Sequence, residues 1–351
     1  MSVRIIVGDV RETLAQIPDA SVQCCVTSPP YFGLRDYGHA GQIGLEPTPD
    51  AYVAEMVAVF REVRRVLRDD GTLWLNLGDS YAADRGYQVA QMKGGPKHGP
   101  AMGVNGRSQR ASDYGCKPKD LLGIPWRVAF ALQADGWYLR ADIVWHKPNP
   151  MPENVTDRPT KAHEYVFLLT KSARYYYDAG AIAEPVARVW DERNGPVGRN
   201  GLSVEHGGQR NPQTGAGLTE RNARSVWSIE ATGNRERECI AILSSDLSIP
   251  DKWEAIKTMM SGAQSDVWRV ATQPFKGAHF ATMPPGLAER CIKAGTKPSD
   301  TVLDPFGGAG TTGLVADRLG RDAVLCELNP AYAALARDRI KGDNPMFTDV
   351  A

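Results

Sequence analysis

The chain has 351 residues, and its 41 lysines and arginines balance 41 aspartates and glutamates for a formal net charge of +0. That length buries a full core, as one large domain or one domain with an insert, and the neutrality excludes a global electrostatic pull on nucleic acid, so any such attraction is local. Met1 to Val10 lacks the pattern of a signal peptide, no apolar run approaches a membrane span, and a cytoplasmic protein is expected.

Val3 to Val7 reads as a short strand that ends at Gly8-Asp9. A second strand, Val22 to Val26, runs into Thr27-Ser28-Pro29-Pro30-Tyr31. Two consecutive prolines stop a strand abruptly, because neither donates an N–H and each fixes its own φ. A hydroxyl, a carbonyl and an aromatic face are thereby held on one rigid corner, a cradle for a flat ring that carries an amino group. The plain structural reading is a sharp turn with Tyr31 on its rim.

An amphipathic helix follows, with Val53, Met56, Val57, Phe60, Val63 and Leu67 on one face, Thr48-Pro49-Asp50 as its start and Asp70-Gly71 as its stop. Thr72 to Leu77 is the next strand, Pro125 to Gly136 a helix, and Trp137 to Trp145 and Tyr165 to Thr170 further strands. Near the other end, helices at Pro285 to Ala294, Thr311 to Leu319 and Pro330 to Ile340 alternate with strands at Thr301 to Asp304 and Ala323 to Leu328. Alternation at both ends predicts a three-layer α/β fold. Two stretches rich in glycine and basic residues break the rhythm, Arg85 to Lys119 and Glu184 to Gln264. Such segments are commonly solvated loops, yet long excursions from a compact fold are often functional.

The six cysteines show no C-x-x-C pairing, and their spacing with the six histidines fits no metal site. Buried free thiols are expected, and no metal.

Asp304-Pro305-Phe306-Gly307-Gly308-Ala309-Gly310-Thr311-Thr312-Gly313 joins a strand to a helix. Gly308, Gly310 and Gly313 fit G-x-G-x-x-G, and Glu327 ends the next strand where a ribose-binding acid belongs, so a dinucleotide-binding oxidoreductase is a legitimate reading. Two details favour S-adenosyl-L-methionine. Asp304 would oppose a pyrophosphate but suits an ammonium, with helix amides at Thr311 and Thr312 open to a carboxylate. The βαβ unit also lies so late in the chain that the N-terminal strands must complete the sheet, which makes the sheet permuted.

The chain resembles the amino-methylating DNA methyltransferases, which modify N4 of cytosine or N6 of adenine. Their (Asp/Asn/Ser)-Pro-Pro-(Tyr/Phe) tetrad corresponds to Ser28-Pro29-Pro30-Tyr31, and their Phe-x-Gly-x-Gly motif to Phe306-Gly307-Gly308-Ala309-Gly310. The catalytic motif comes first and the cofactor motif last, the order of the β group. The resemblance implies a circularly permuted Rossmann-like S-adenosylmethionine-dependent methyltransferase sheet with an inserted target-recognition region. Residues 1–183 would form the catalytic half, with a basic loop at 85–119, residues 184–264 the recognition region, and residues 265–351 the cofactor-binding half.

It further implies catalysis by Ser28, Pro29, Pro30 and Tyr31, with a cofactor held by Asp9, His279, Phe280, Asp304, Pro305, Phe306, Gly308, Gly310, Thr311, Thr312, Glu327 and Asn329. DNA contacts are expected from Arg35, Lys93, Arg107, Arg110, Arg193, Arg199, Arg210, Arg221 and Arg224. Ser at the first tetrad position goes mainly with N4 of cytosine in this family, so site-specific N4-cytosine methylation of double-stranded DNA is expected, with N6-adenine as the alternative. A bacterial, archaeal or phage-infected cell is the expected setting. The group includes dimers, which makes a homodimer an expectation, and any restriction endonuclease partner would be a separate chain. An NAD-dependent oxidoreductase and a non-catalytic DNA-binding module are the readings from other classes.

Overall fold

The structure is a computed structural model that describes residues 2–39, 41–82, 115–147, 155–185, 220–221, 226–227, 283–343 and 349–350. The chain divides into two compact units. The larger takes Met1–Tyr177, Val226–Ala231 and Val267–Ala351, the smaller Asp178–Ser225 and Thr232–Asp266. The described part of the smaller unit holds one short antiparallel pairing of β6 (Glu184–Pro185) with β7 (Glu220–Arg221).

The larger unit is built on a nine-stranded sheet in the order β11-β1-β10-β9-β2-β3-β5-β4-β8. Its strands are β1 (Ser2–Val7), β2 (Val22–Thr27), β3 (Leu67–Leu77), β4 (Tyr138–His146), β5 (His163–Thr170), β8 (Val226–Trp227), β9 (Thr301–Asp304), β10 (Asp322–Glu327) and β11 (Asp349–Val350). Its helices are α1 (Val10–Thr13), α2 (Pro49–Val66), α3 (Ile124–Ala134), α4 (Pro285–Gly295), α5 (Thr311–Arg318) and α6 (Pro330–Asp343). The late strands β9 and β10 lie between the early strands β1 and β2, which is the permutation expected from the order of the motifs. All pairings are parallel except those of β5, which runs against both β3 and β4. Val226–Trp227 falls within the stretch assigned to recognition, yet it extends the main sheet through β4.

β2 is buried along its whole length, so its alternate side chains serve two cores. Cys25 joins the cluster formed with α2 and α3, which includes Met56, Phe60, Leu73, Val128 and Phe167. Cys24 faces α4, where a Cβ on Gly295 would stand 2.8 Å from its sulfur and 2.6 Å from Thr72 Oγ1. The glycine is what lets α4 lie this close to the sheet. Cys24, Cys25, Cys291 and Cys326 are buried and Cys116 is half-buried, all as free thiols. Burial pushes Cys24 up to about 12 and Cys326 to about 11, which keeps both protonated and poor nucleophiles.

Two details of α2 depart from the sequence reading. Its buried face is Tyr52, Met56, Val59, Phe60, Val63 and Val66, while Val53 and Val57 are only half-buried. Tyr52 earns its interior place because its hydroxyl donates to the Pro30 carbonyl at 2.9 Å. The helix also ends four residues earlier than Asp70-Gly71, and Leu67 is already extended and begins β3. Asp70-Gly71 instead lies in a bulge, since Val22 pairs with Leu67 but Cys24 pairs with Thr72.

Candidate active site

Open α/β sheets bind ligands beyond the carboxyl ends of their parallel strands, where the strand order reverses. Here the reversal falls between β9 and β2. The carboxyl ends of β1, β10, β9, β2 and β3 present Asp9, Glu327, Asp304, Ser28 and Gly78 along one edge. Because β5 is reversed, its first residues, His163 and Glu164, come to the same edge beside His146 and Lys147 at the end of β4.

The two halves of this edge are tied by Asp304. Its carboxylate accepts from Thr27 Oγ1 at 2.7 Å, from Thr312 Oγ1 at 2.7 Å and from the Phe306 amide at 3.1 Å. Burial raises its pKa, and the two hydroxyls and the amide pull it back. A carboxylate offers about four acceptor positions, so three donors leave room for one more. The residue expected to receive an ammonium therefore also links the strand before the tetrad to the helix after the glycine loop.

The glycine loop is shaped by backbone demands. Gly308 and Gly310 have φ of +51° and +73°, a region that favours glycine. A Cβ on Gly310 would stand 2.8 Å from Ala336 Cβ, and one on Gly313 2.9 Å from Leu325 Cδ1. Pro305 is buried and Phe306 half-buried. The Gly308 amide donates to Glu327 Oε2 at 2.8 Å and the Asn329 amide to Glu327 Oε1 at 2.8 Å. Burial raises the Glu327 pKa, and these two amides oppose it. Asn329 Oδ1 in turn accepts from Ala331 at the start of α6, and Arg339 donates to Thr311 Oγ1 at 2.9 Å. Asp9 already has local work. It caps α1 through the Arg11 amide and ion-pairs with the Arg11 guanidinium at 2.5 Å, which lowers its pKa. A loop of left-handed glycines under an acid at the next strand end fits a nucleoside with a ribose at Glu327. His279 and Phe280 lie outside the described residues.

The tetrad is held by residues that sequence reading missed. Pro29 is buried, and Ser28, Pro30 and Tyr31 are half-buried. The Tyr31 ring lies against Gly78, where a Cβ would stand 2.5 Å from Cε2. Its hydroxyl donates to Glu164 Oε2 at 2.7 Å and faces Asn76 Oδ1 at 3.3 Å, and the Ser28 hydroxyl donates to it at 3.3 Å. Lys147 ion-pairs with the other Glu164 oxygen. Asn76 carries the one signal that could have been read, an amide inside an apolar strand, Leu73-Trp74-Leu75-Asn76-Leu77. Glu164 has no such signal, because only the reversed direction of β5 brings it to this edge.

Of the residues expected to meet DNA, Arg35 follows the tetrad. Its Nη1 is buried without a hydrogen-bond partner among the described residues. Arg221 lies on β7, and Lys93, Arg107, Arg110, Arg193, Arg199, Arg210 and Arg224 lie outside the described residues.

Residues 22–338 match the family model for DNA methylases of the N6/N4 type. The chain is 44% identical over 345 residues to Type II methyltransferase M.XycI of Xanthomonas campestris pv. cyanopsidis, covering 98% of this chain and 89% of that one. It is 41% identical over 339 residues to Type II methyltransferase M.SmaI of Serratia marcescens, covering 97% and 91%. Among solved structures, the fold is shared with a DNA modification methylase of Thermus thermophilus, described as putative and complexed with S-adenosyl-L-methionine, at a TM-score of 0.52, 24% identity and 99% coverage of both chains. It is also shared with the PvuII cytosine-N4-specific DNA methyltransferase, at a TM-score of 0.54, 19% identity and coverage of 99% and 96%. The chain belongs to the N6/N4 DNA methylase family.

Proposed function

We propose that this DNA methyltransferase transfers a methyl group to the exocyclic N4 of cytosine in double-stranded DNA. The methyl donor is S-adenosyl-L-methionine. The observation that carries the choice of base is the serine at the first tetrad position, held at the sheet edge with its hydroxyl turned to Tyr31. The PvuII methyltransferase, which shares the fold, is named as cytosine-N4-specific.

Bound at the glycine loop, S-adenosyl-L-methionine supplies a methyl group on a positively charged sulfur. The chain's own residues make the amino nitrogen reactive. An exocyclic amino group is a poor nucleophile because its lone pair is delocalised into the ring. Ser28 Oγ and the Pro29 carbonyl accept hydrogen bonds from its two N–H groups and turn the lone pair toward the methyl. The N–C bond forms as the S–C bond breaks, the thioether S-adenosyl-L-homocysteine leaves, and the methylated nitrogen gives up one proton to solvent. The Pro30 carbonyl is already engaged by Tyr52, which fixes the corner. Tyr31 offers the base the ring face opposite Gly78. The target base is buried in duplex DNA and has to swing out of the stack to reach this edge. The buried, protonated cysteines take no part.

Asp304 receives the methionine ammonium, Glu327 the ribose hydroxyls and the first amides of α5 the carboxylate. Arg35 and the basic stretches 85–119 and 184–264 supply phosphate and base contacts. The deciding experiment methylates unmodified DNA, digests it to nucleosides and identifies the product by mass. N4-methylcytosine is expected, and N6-methyladenine alone would overturn the choice of base.

A further inference from the structure

We infer that Glu164, together with Asn76, is a positioning residue that fixes the Ser28 hydroxyl as an acceptor toward the target amino group, by committing the single proton of Tyr31. The inference rests on the reading that Ser28 holds that amino group. It starts from a difficulty in that reading. A serine hydroxyl both donates and accepts, and it can rotate. If its hydrogen pointed at the amino group, it would compete for the lone pair that must attack the methyl.

The arrangement around Tyr31 removes that freedom. The Asn76 amide donates to Glu164 Oε2 at 3.2 Å and to the Tyr165 carbonyl at 3.1 Å. Its two donors are thus used, and its Oδ1 faces the Tyr31 hydroxyl at 3.3 Å. Glu164 presents Oε2 to the same hydroxyl at 2.7 Å, and Lys147 holds its other oxygen. Tyr31 therefore faces two acceptors behind it and has one proton to give. Burial and the neighbouring Glu164 raise its pKa well above the ordinary value, so the proton stays on the phenol. The phenol oxygen is left as an acceptor, and the Ser28 hydroxyl donates to it. Both lone pairs of Ser28 Oγ then point away from Tyr31, toward the base. The 3.3 Å separation is long for an O–H···O bond, and catalytic contacts of this kind commonly tighten when substrate binds. Asn76 and Glu164 lie on β3 and β5, Lys147 directly follows β4, and Ser28 and Tyr31 sit on the double-proline corner after β2, so the direction of the chain of hydroxyls is set by the strand ends and by a corner whose prolines fix φ.

The test compares wild type with Ser28→Ala, Tyr31→Phe, Glu164→Gln and the Tyr31→Phe/Glu164→Gln double variant. Single-turnover methyl transfer to DNA, affinity for S-adenosyl-L-methionine and Tm are measured for each. Tyr31→Phe keeps the ring and loses only the hydroxyl. Glu164→Gln keeps the size of the side chain but can present an N–H where Tyr31 needs an acceptor. Tyr31→Phe and Glu164→Gln are each expected to slow transfer by about tenfold, the worth of one well-placed hydrogen bond, with cofactor affinity unchanged. The double variant is expected to be no slower than Tyr31→Phe alone, because both changes break the same link. Independent, multiplying losses accompanied by a lower Tm would mark a purely structural role and overturn the inference. If Glu164→Gln does not fold, Tyr31→Phe decides alone. A normal rate in Tyr31→Phe with a slow Ser28→Ala overturns the inference and leaves the site reading standing. A normal rate in Ser28→Ala overturns the site reading as well.

Discussion

The two halves of the sheet edge hold their chemistry by different means. On the β9, β10 and β1 side, the proposed site rests on main chain: left-handed glycines, loop amides and a strand-end acid that those amides bind. On the β2, β3, β4 and β5 side it rests on side chains from four strands that meet only in the fold. The first kind of site is local and tolerates little change in backbone. The second depends on each partner being present and on the close approach of the Tyr31 ring to Gly78. Asp304 joins the two through Thr27 and Thr312, and Thr312 also reaches the Val26 carbonyl on β2.

Ser28→Ala gives the largest expected effect on transfer and the sharpest separation of the halves. Loss of a preorganised acceptor at the reacting atom is expected to lower kcat by about 10²–10³-fold. The rise in Tm on adding S-adenosyl-L-methionine should persist, since the glycine loop is untouched. Loss of that rise would show that the halves are not separable in this way.

A pair of glycine substitutions breaks the comparison from both sides. Gly310→Val places a β-branched residue at φ +73° against Ala336, a strain of roughly 1–3 kcal/mol before the clash is added. Its Tm should fall and the cofactor-induced rise should vanish. Gly78→Ala would press a methyl into the Tyr31 ring. That displacement should slow transfer by about tenfold, the scale of one misplaced hydrogen bond, and leave the cofactor response intact. Stopped-assay kinetics and thermal shift on the two variants check this crossed pattern.

The same contrast explains what was legible in the sequence. The glycine loop, the tetrad and their inverted order are contiguous motifs, and the permuted sheet followed from them. Lys147 and Glu164 carry no such signal, and even the amide of Asn76 in its apolar strand does not name its partners, because the meeting of the three depends on β5 running against β3 and β4. Tyr52 belongs to the buried face of α2 although its hydroxyl is polar, because the Pro30 carbonyl accepts from it. Asp70-Gly71 looked like a helix stop because a bulge and a turn use the same residues.

Asp304 sharpens the comparison through pH. Its folded pKa is raised above the ordinary 3.8 by burial. The folded state then holds the proton more tightly than the unfolded one, so this group's contribution to stability falls as pH rises from 3.8 through the folded value. Asp304→Asn removes that dependence. The Tm difference, wild type minus variant, should therefore shrink as pH rises above the ordinary 3.8, the window that the direction of the shift sets. If the methionine ammonium binds here, cofactor affinity of the wild type should rise over the same window, and that of the variant should stay flat. A flat wild-type affinity would confine Asp304 to bridging Thr27 and Thr312.

Asp9 gives the smallest effect and asks whether a residue with local work also serves the cofactor. Asparagine caps a helix as well as aspartate does, so Asp9→Asn keeps the bond to the Arg11 amide and loses only the ion pair with Arg11. That pair is partly exposed, and its loss should cost less than about 1 kcal/mol. In a unit of this size the Tm should move by no more than roughly 2–4 °C. The lowered pKa of Asp9 means that its stabilising charge is present above the ordinary 3.8 and fades as pH falls, so even this shift should disappear in acid. A carboxylate that also faced the adenosine would reveal itself in a different measurement. Calorimetric affinity for S-adenosyl-L-methionine should then weaken several-fold at neutral pH while Tm barely moves. Equal affinities would make Asp9 a helix cap and nothing more, and would leave the cofactor half resting wholly on β9, β10 and the loop between β9 and α5.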